Sequence, residues 1–368
     1  MYFYPVVFRA GLDGTHEVAC FYIQFCNISP AIPVLKLMHR VICLTIFALL
    51  LAGLACGGNL QAPARSPAPS QLPVRTVPHE GRWGIYALDL KTQEMQLIYT
   101  SPREIQASAL RLNGQGDRLV FAQKVEGDGD EYSEICTVRL DSSGFERLTQ
   151  DRFWDLYPAW SSDGSQIAFL SLRQNDLDLY VMQADGSGLR RLYDSGGHDA
   201  DVDWVGNRIV FTADSRIWVM QADGSNPAPL TLPPHAGEWG QANLPFGDYD
   251  PRLSPNDDRV VFERLEGDDS PHGSYNFFII NADGSGEKRL TDTGYAQGLA
   301  SWSHAGDRLV YTVAAIHDRG QYDLYIMNAD GTHQHNITPD YFPNEFLAHA
   351  AVFSGDDSRI YFIGEWWQ

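Results

Sequence analysis

The sequence predicts an all-β protein, a six-bladed β-propeller with four-stranded antiparallel blades. First, a unit of about 40 residues with four short strands and three turns recurs along the chain. Second, a bulky apolar residue ends the first strand of each copy, at intervals of 44 to 51 residues. Third, an Ala-Asp-Gly turn follows the third strand in four copies. The bulky residues are Leu112, Trp160, Trp204, Leu253, Trp302 and Phe353.

The best-defined copy runs from Asp155 to Tyr193. Its alternating apolar pattern predicts strands at 158–161, 166–170, 179–183 and 189–193. Asp163 and Gly164 lie between the first two strands, and we expect both to adopt positive φ. Because the bulky residues recur at one fixed place in the repeat, we expect them to pack between blades rather than stack on a ligand.

The two ends of the repeat region complete one another. The N-terminal hairpin at 83–99 matches only third and fourth strands, and residues 349–365 match only first and second strands. Either half alone would leave open sheet edges, which proteins avoid. We therefore expect the two halves to pair as a sixth blade, which closes a propeller domain over residues 81–368.

The N-terminal region carries the pattern of an export signal. Residues 41–55 are fifteen apolar residues, too short for a membrane span and typical of a signal peptide. Met38 begins this pattern, so residues 38–55 are predicted to be the signal and residues 1–37 a mis-assigned extension with no folding role. Residues 56–80 are rich in proline and are predicted to form an extended tether.

Cys56 directly follows Gly53-Leu54-Ala55. This stretch resembles the lipobox of bacterial lipoproteins, although that family usually has leucine where Gly53 stands. The resemblance implies that Cys56 is lipidated and that the protein is exported, facing the periplasm or the cell exterior. The lipid would then be its sole contact with the membrane. An ordinary secretory signal or an uncleaved anchor is the alternative.

The repeat itself carries a second resemblance. Pro-Ala-Trp-Ser-Ser-Asp-Gly at 158–164, Ile-Ala-Phe at 167–169 and Leu-Tyr-Val-Met-Gln-Ala-Asp-Gly-Ser at 179–187 are similar to the TolB-type propeller repeat. The dipeptidyl-peptidase and tricorn families use the same repeat type. The resemblance covers about residues 83–365 and implies the architecture. TolB has an additional α/β domain where this sequence has its tether, so TolB's role in the envelope is not directly implied.

Composition restricts the partners. The net charge of −20 argues against nucleic acid and anionic lipid surfaces as partners. Four of the five cysteines lie at or before Cys56, which leaves Cys136 alone in the predicted domain and excludes an internal disulfide framework. The sequence has no Gly-x-Ser-x-Gly, His-Glu-x-x-His, Walker or Cys-x-x-Cys motif, and we assign no catalytic residue.

Loop length predicts where a ligand binds. In a meander, the first and third turns of each blade share one face, and here they are short and uniform. The second turns and the connections between blades share the other face and vary in length, which is typical of binding loops. The longest connection brings His235 and Trp239 to this loop-rich face. The starts of the first strands add Asp155, Tyr157, Asp199, Asp201, Asp248, Asp250 and His349.

Two interpretations of these acidic residues stay open. They form a site for a basic peptide, a cation or a polyhydroxylated ligand, or they cap turns and accept hydrogen bonds from backbone N–H groups. The alternating carboxylates of 126–131 likewise form either a calcium loop or a solvated loop. We expect the aspartates of the Ala-Asp-Gly turns to serve turn geometry alone.

The sequence thus predicts a monomeric, non-catalytic envelope lipoprotein that binds a protein, peptide or glycan through its loop-rich face. No cofactor is expected, with calcium or another divalent cation as the alternative. The alternative function is a metal-assisted polysaccharide lyase or hydrolase at the channel mouth. Its metal ligands would come from His198, His235, His272, His317 and His349.

Overall fold

The computed structural model describes residues 75–106, 110–126, 131–174, 176–240, 244–267, 273–294, 296–314 and 322–367. It also describes two short antiparallel strands, β1 (Val6–Phe8) and β2 (Ala19–Phe21). The predicted signal peptide, Cys56 and the rest of the predicted extension lie outside the described residues, as does most of the predicted tether. Within the part of the chain that is described, no helix is long and apolar enough to cross a membrane.

Twenty-four strands form six four-stranded sheets. In chain order they are β3 (Trp83–Asp89), β4 (Met95–Ser101), β5 (Arg111–Leu112), β6 (Arg118–Glu126), β7 (Glu131–Arg139), β8 (Glu146–Arg147), β9 (Asp155–Trp160), β10 (Gln166–Ser171), β11 (Asp178–Gln183), β12 (Arg190–Tyr193), β13 (Asp199–Val205), β14 (Arg208–Ala213), β15 (Arg216–Gln221), β16 (Ala228–Pro229), β17 (Gly247–Leu253), β18 (Arg259–Gly267), β19 (Ser274–Asn281), β20 (Lys288–Arg289), β21 (Gln297–Trp302), β22 (Arg308–Ala314), β23 (Tyr322–Asn328), β24 (His335–Asn336), β25 (Phe346–Phe353) and β26 (Arg359–Trp366). Blades 1 to 5 are β5–β8, β9–β12, β13–β16, β17–β20 and β21–β24, and blade 6 is β25, β26, β3 and β4.

Blade 6 confirms the predicted closure. Strand β26 pairs antiparallel with β3, from Arg359 opposite Asp89 to Glu365 opposite Trp83. Because β25 contacts β5 of blade 1, the ring of inner strands is continuous. The four strands of blade 6 cover residues 83–101 and 346–366, so their ends lie within three residues of the predicted ranges 83–99 and 349–365.

The repeated aromatic residues pack between blades, as predicted. Trp160 belongs to an apolar cluster that joins blades 1 and 2, and Trp204 to one that joins blades 2 and 3. Trp302 belongs to a cluster that joins blades 4 and 5, and Phe353 to one that joins blades 5 and 6. All four rings are less than a tenth exposed. The burial of these rings adds to the hydrophobic contact between blades.

The Ala-Asp-Gly turns follow the prediction closely. In blade 2, the carboxylate of Asp185 accepts hydrogen bonds from the backbone N–H and the hydroxyl of Ser187 at 2.9 and 2.6 Å. Gly186 has φ +83°, and a Cβ there would lie 2.7 Å from the carbonyl oxygen of Leu148 in blade 1. Glycine therefore serves both the turn and the contact with the neighbouring blade.

The first turns differ from the prediction in one detail. In blade 2, Gly164 has φ +69°, but Asp163 is not among the positive-φ residues. A single left-handed residue per turn suffices, and aspartate occupies that position in two other blades, as Asp257 and Asp357 at φ +57°. Aspartate tolerates this region better than most residues because its short side chain bonds locally. Asp357 accepts hydrogen bonds from the N–H of His304 at 2.6 Å, which links blade 6 to blade 5.

In four of the blades, a threonine just after the fourth strand forms a hydrogen bond with the third strand of the same blade. In blade 3, the hydroxyl of Thr231 accepts a hydrogen bond from the backbone N–H of Ile217 at 3.0 Å. Equivalent bonds of 2.8 to 3.0 Å are made by three other hydroxyls, those of Thr149, Thr291 and Thr338. These bonds satisfy a buried N–H where the short outer strand has already ended.

Candidate functional site

The channel through the propeller opens on two faces. The loop-rich face carries the second turns and the connections between blades, and the turn face carries the first and third turns. The sequence places its candidate residues on the loop-rich face. The buried groups there and the cavity on the opposite face are described in turn.

Asp155 lies fully buried at the start of β9. Its carboxylate accepts a hydrogen bond of 2.5 Å from the hydroxyl of Ser171 and one of 2.9 Å from the guanidinium of Arg173. Burial raises the pKa of Asp155 to about 6, and both partners oppose that rise. This carboxylate is therefore held by two partners of its own blade.

Asp248 has a similar environment at the start of β17. Arg264 donates two hydrogen bonds to it, at 2.6 and 3.0 Å, and also binds Glu287 at 2.8 Å. Burial raises the pKa of Asp248, and Arg264 opposes the rise. Comparable pairs of a buried acid with an arginine recur around this face, in Glu134–Arg147, Asp178–Arg191 and Glu365–Arg82.

Asp199, at the start of β13, is the exception. It is fully buried, and neither carboxylate oxygen has a hydrogen-bond partner of good geometry. Burial raises its pKa to about 7, the Ser195 hydroxyl opposes the rise, and the charge of Asp178 adds to it. The carboxyl group of Asp199 is therefore partly protonated near neutral pH.

Tyr157, Asp201 and Asp250 share a special backbone position. Each lies three residues before the bulky residue of its inner strand, has φ between +50° and +53°, and sits where the strand pairing shifts register. Leu299 and Ala350 occupy the same position in blades 5 and 6. These residues therefore belong to a β-bulge that recurs around the ring.

Side chains of the preceding blade satisfy the bulge N–H groups. The N–H of Asp250 donates to the carboxylate of Asp201 at 3.2 Å, and the N–H of Leu299 donates to Glu263 at 2.6 Å. Glu263 also lies so close to Gly298 that a Cβ there would be 2.6 Å from its carboxylate. The structure thus brings Asp201 and Asp250 together, in a contact between blades.

These acids form a buried cluster. Arg252 forms an ion pair with Asp250, and both are less than a twentieth exposed. Burial and the charge of Asp250 raise the pKa of Asp201 to about 7, and the same causes raise that of Glu263 well above its usual range. At neutral pH the cluster therefore retains at least one proton, because like charges this close resist ionisation.

The three predicted histidines that the structure describes have separate environments. His349 is buried between the rings of Trp83 and Tyr322, and burial lowers its pKa to about 3. His198 accepts a hydrogen bond from the N–H of Leu177 at 3.0 Å. His272, His317 and the centre of the acidic stretch 126–131 lie outside the described residues. Among the residues that are described, no three His, Cys, Asp or Glu side chains are placed to hold a metal ion.

The connection between blades 3 and 4 is described up to residue 240 and again from residue 244, and backbone hydrogen bonds join these two parts. Backbone hydrogen bonds of 2.9 Å join Gly237 and Glu238 to Phe246, and His235 contacts Glu238 at 3.1 Å. This frame holds Trp239 with 52% of its surface exposed. The two loop residues predicted to face a ligand are thus accessible.

The sequence interpretation missed a cavity of 800 Å³ on the turn face. Its lining includes residues directly before the bulky residue of the inner strands. Around the ring this position reads Arg111, Ala159, Asp203, Arg252, Ser301 and Val352, and all of them but Ala159 line the cavity. Aligning the repeats could therefore have revealed this cavity, because three copies have a charged residue at this position where the others have Ala, Ser or Val.

No protein-family model matches this chain, whereas several curated proteins and solved structures resemble it. An uncharacterized protein of Agrobacterium fabrum is 27% identical over 197 residues, which span 50% of this chain and 64% of that protein. The Tol-Pal system protein TolB of Desulfosudis oleivorans is 28% identical over 119 residues, 30% of this chain and 26% of that protein. The chain thus spans less than two-thirds of either relative.

The solved structures agree on the fold. A TolB candidate from Agrobacterium tumefaciens superposes with a TM-score of 0.56 at 17% identity, covering 78% of this chain and 99% of that one. TolB from Acinetobacter baumannii gives 0.52 at 16% identity, covering 70% and 63%. The chain is a TolB-like six-bladed β-propeller. As a TolB-like propeller it has a known scaffold, and its function depends on the surfaces described above.

Proposed function

We propose that this TolB-like propeller is a non-catalytic binding module of the cell envelope, and that a protein partner docks on its loop-rich face. One observation carries the proposal. Among the described residues, four large apolar side chains are exposed, and two of them, Leu232 and Trp239, lie in the single connection between blades 3 and 4. They are 78% and 52% exposed.

The other two exposed apolar residues have a weaker claim. Phe145 follows the third turn of blade 1, on the turn face, and stacks on the ring of Tyr99 at 5.0 Å. Leu189 follows the third turn of blade 2, on the same face, so neither residue lies in the long connections between blades. Trp239 on an internally bonded loop is the type of anchor that contributes most to protein interfaces.

The envelope location rests on two supports. The signal pattern at 38–55 with Cys56 indicates export and lipidation, and one relative is named as a Tol-Pal system protein. A peptide or a glycan at the same face is the alternative ligand. Lipidation is tested by labelling cells with palmitate: the label enters the chain and is absent from Cys56→Ser. Absence of label from the unmodified chain would contradict the lipid anchor.

Photo-crosslinking tests the docking surface. The photoreactive residue p-benzoylphenylalanine replaces Trp239 in one version of the full chain and Leu189 in another. We expect a defined covalent protein adduct from position 239 and none from position 189. Equal adducts from both positions, or none from 239, would contradict the proposal.

Alanine variants sharpen the test. Trp239→Ala and Leu232→Ala should each reduce co-purification of the partner identified by crosslinking at least tenfold, whereas the matched control Leu189→Ala should leave it within twofold. The stability of Trp239→Ala should stay within about 0.5 kcal/mol of the parent, because the side chain is exposed. Recovery that does not depend on Trp239 would show that the partner binds elsewhere.

A further inference from the structure

The start of the inner strand in blade 3 differs from the same place in the two neighbouring blades. Five residues before the bulky residue of this strand, blades 2, 3 and 4 each have a buried aspartate, namely Asp155, Asp199 and Asp248. Asp155 accepts a hydrogen bond from Arg173, and Asp248 accepts two from Arg264. Among the described residues, none donates to either carboxylate oxygen of Asp199 with good geometry. Blade 3 therefore has the acid without the guanidinium.

The strand register shows which side chain of blade 4 has no counterpart in blade 3. Asp248 lies opposite Arg264 on the second strand of blade 4, and Asp199 lies opposite Ala213 on the second strand of blade 3. The methyl group of Ala213 has no donor to offer. An alanine therefore stands where blade 4 supplies a guanidinium.

The second turn of blade 3 does not supply the donor either. In blade 2 the guanidinium comes from Arg173, two residues after the end of β10. The same place in blade 3 is Ser215, two residues after the end of β14. The hydroxyl of Ser215 accepts a hydrogen bond from Tyr249, and its carbonyl accepts one from the N–H of Asp248. Ser215 is thus engaged by blade 4.

A second acid beside Asp199 also has an unpartnered oxygen. The N–H of Asp199 donates to the carbonyl of Leu177 at 2.9 Å, which places Asp178 next to the start of β13. Asp178 is fully buried, and within the part of the chain that is described its Oδ1 has no hydrogen-bond partner. The three unpartnered oxygens of Asp178 and Asp199 are all acceptors. Because a buried acceptor without a donor is costly, this place favours an occupant that supplies N–H donors.

The charge around Asp199 favours the same kind of occupant. Burial raises the pKa of Asp199, and the charges of Asp178, Asp194 and Asp176 raise it further. Arg191 is shared between two of these acids, at 3.3 Å from Asp178 and 2.9 Å from Asp194. Four acids therefore face one arginine, which leaves three negative charges unmatched when all the acids are ionised.

The connection between blades 2 and 3 leads directly into Asp199. Residues 194–198 are exposed or half-buried, whereas Asp199 is fully buried. In the described structure, a Cβ added at Gly196 or Gly197 would meet no atom within 4 Å. The N–H of Gly196 donates to Asp194 in the same connection. Two glycines beside open space allow this connection to change conformation when a side chain enters from the loop-rich face.

We propose that Asp199 receives the guanidinium of an arginine from the protein that docks on the loop-rich face. This inference rests on the proposed function and specifies the partner as a basic protein segment. The pairs of Asp155 and Asp248 with arginines provide the precedent within the same ring. Arginine is also the cation best suited to a buried ion pair at an interface. The connections at both ends of blade 3 then serve the partner, since one precedes Asp199 and the other carries Trp239.

Binding of N-acetyl-argininamide to the purified full chain at pH 8 tests the proposal. N-acetyl-citrullinamide is the matched neutral probe, because citrulline keeps the shape of arginine without its charge. Calcium chloride is the alternative cation, and titration calorimetry is the readout. We expect the arginine probe to bind saturably and at least tenfold more tightly than the citrulline probe. Equal binding of the two, no saturable binding of the arginine probe, or its displacement by calcium would overturn the proposal.

Variants locate the site. Asp199→Asn should weaken binding of the arginine probe at least tenfold, whereas Asp163→Asn, which changes an exposed carboxylate of a first turn, should alter it less than twofold. Unchanged affinity in Asp199→Asn would overturn the assignment.

A guanidinium supplied by the chain itself gives a second test. Ala213→Arg places an arginine opposite Asp199, at the register position of Arg264 in blade 4. This variant should abolish binding of the arginine probe, and at pH 8 it should be more stable to urea than Ala213→Met, which adds similar bulk without charge. Retained binding in Ala213→Arg, or equal stability of the two variants, would show that the place does not accept a guanidinium.

This inference and the docking proposal fail separately. Asp199→Asn should reduce co-purification of the partner at least tenfold, and Trp239→Ala should leave binding of the arginine probe within twofold. Unchanged co-purification in Asp199→Asn, with the adduct from position 239 still present, would overturn the arginine site and leave the docking surface in place. Absence of that adduct together with saturable binding of the arginine probe would contradict the docking surface alone.

Discussion

At the loop-rich mouth of the channel, Asp248 lies buried against the guanidinium of Arg264, which donates two hydrogen bonds to it. At the turn mouth, Arg111 and Arg252 line an open cavity and form ion pairs with Asp203, at 3.4 Å, and with Asp250. Both mouths combine arginines with aspartates. At the first, the arginine and the aspartate belong to one blade, whereas at the second Arg111 of blade 1 reaches Asp203 of blade 3.

This difference teaches where a charged residue signals function. A buried carboxylate with a bidentate arginine has its hydrogen-bonding requirements met within the fold. An arginine paired beside a cavity also has its charge matched, and only its remaining N–H donors are open to a ligand. The identity of the residue does not separate the two cases, because aspartate and arginine occur at both mouths.

The largest expected effect comes from breaking a completed pair. Arg264→Met should lower the free energy of unfolding by about 3–5 kcal/mol, because it leaves Asp248 charged, buried and unpaired. Urea denaturation measures the change. The control Arg118→Met removes an arginine whose partner Glu146 is half exposed, and it should cost less than about 1 kcal/mol. Equal losses in the two variants would remove the distinction between buried and exposed pairs.

Asp199 provides the next largest effect, because it is fully buried and neither of its carboxylate oxygens has a hydrogen-bond partner of good geometry. Its pKa is raised to about 7, so the folded chain binds this proton more tightly than the unfolded chain does. The resulting stability is complete below about pH 4 and is lost as pH rises through 7. Asp199→Asn should therefore be more stable than the parent at pH 8, by about 2–4 kcal/mol, with little difference at pH 4.

Thermal or urea unfolding of both proteins between pH 4 and pH 8 measures this difference. Asp163→Asn is a suitable control, since that carboxylate is exposed in a first turn and its pKa is lowered by hydrogen bonds from Ser161 and Ser165. Its dependence on pH has the opposite sign, with stability lost as the solution becomes acidic. A difference for Asp199→Asn that does not vary with pH would contradict the burial argument.

The threonine bonds predict a smaller effect. Thr231→Val keeps the shape of the side chain but leaves the buried N–H of Ile217 without its acceptor. We expect a loss of about 1–2 kcal/mol in urea denaturation. Thr92→Val, at an exposed turn of blade 6, is the control and should change stability by less than about 0.5 kcal/mol. No loss in Thr231→Val would show that water replaces the hydroxyl.

The smallest effect on stability is expected at the turn mouth. Arg111→Met breaks the ion pair with Asp203 at 3.4 Å, but it also removes a charge that lies near Arg252, and Asp203 keeps its hydrogen bond from Leu253. The stability should change by about 1 kcal/mol or less in urea denaturation, in contrast to Arg264→Met. A loss as large as that of Arg264→Met would show that Arg111 is structural, and the contrast between the mouths would fail.

Several features of the molecule follow from local sequence alone. The Ala-Asp-Gly turns, the pairing of 83–99 with 349–365 and the packing role of Trp160 and Trp204 were all predictable, because each depends on a repeated pattern. A repeated sequence shows the same structural requirement several times, so residues that do not serve it can be recognised because they differ between copies. Closure of the ring can also be predicted without knowing individual contacts, because two half-blades at the ends of the repeat region can pair their open edges with each other.

The environment of each candidate site residue was not predictable in the same way. The sequence placed Asp155, Asp201 and Asp248 near the axis but could not show that Ser171 and Arg173, the N–H of Asp250, or Arg264 satisfy them. Those partners lie up to 49 residues away along the chain, and the relevant N–H groups turn inward through bulges that have no sequence signature.

What the sequence by itself determined is the scaffold: the number of blades, their closure and the places of their turns, because repeated turn residues and apolar alternation are local physical requirements. What only the tertiary structure decided is the character of each mouth. Whether a buried charge is paired depends on which side chains of neighbouring strands reach it. Around a ring of six blades, that outcome paired Asp248 with an arginine of its own blade and Arg111 with an aspartate two blades away.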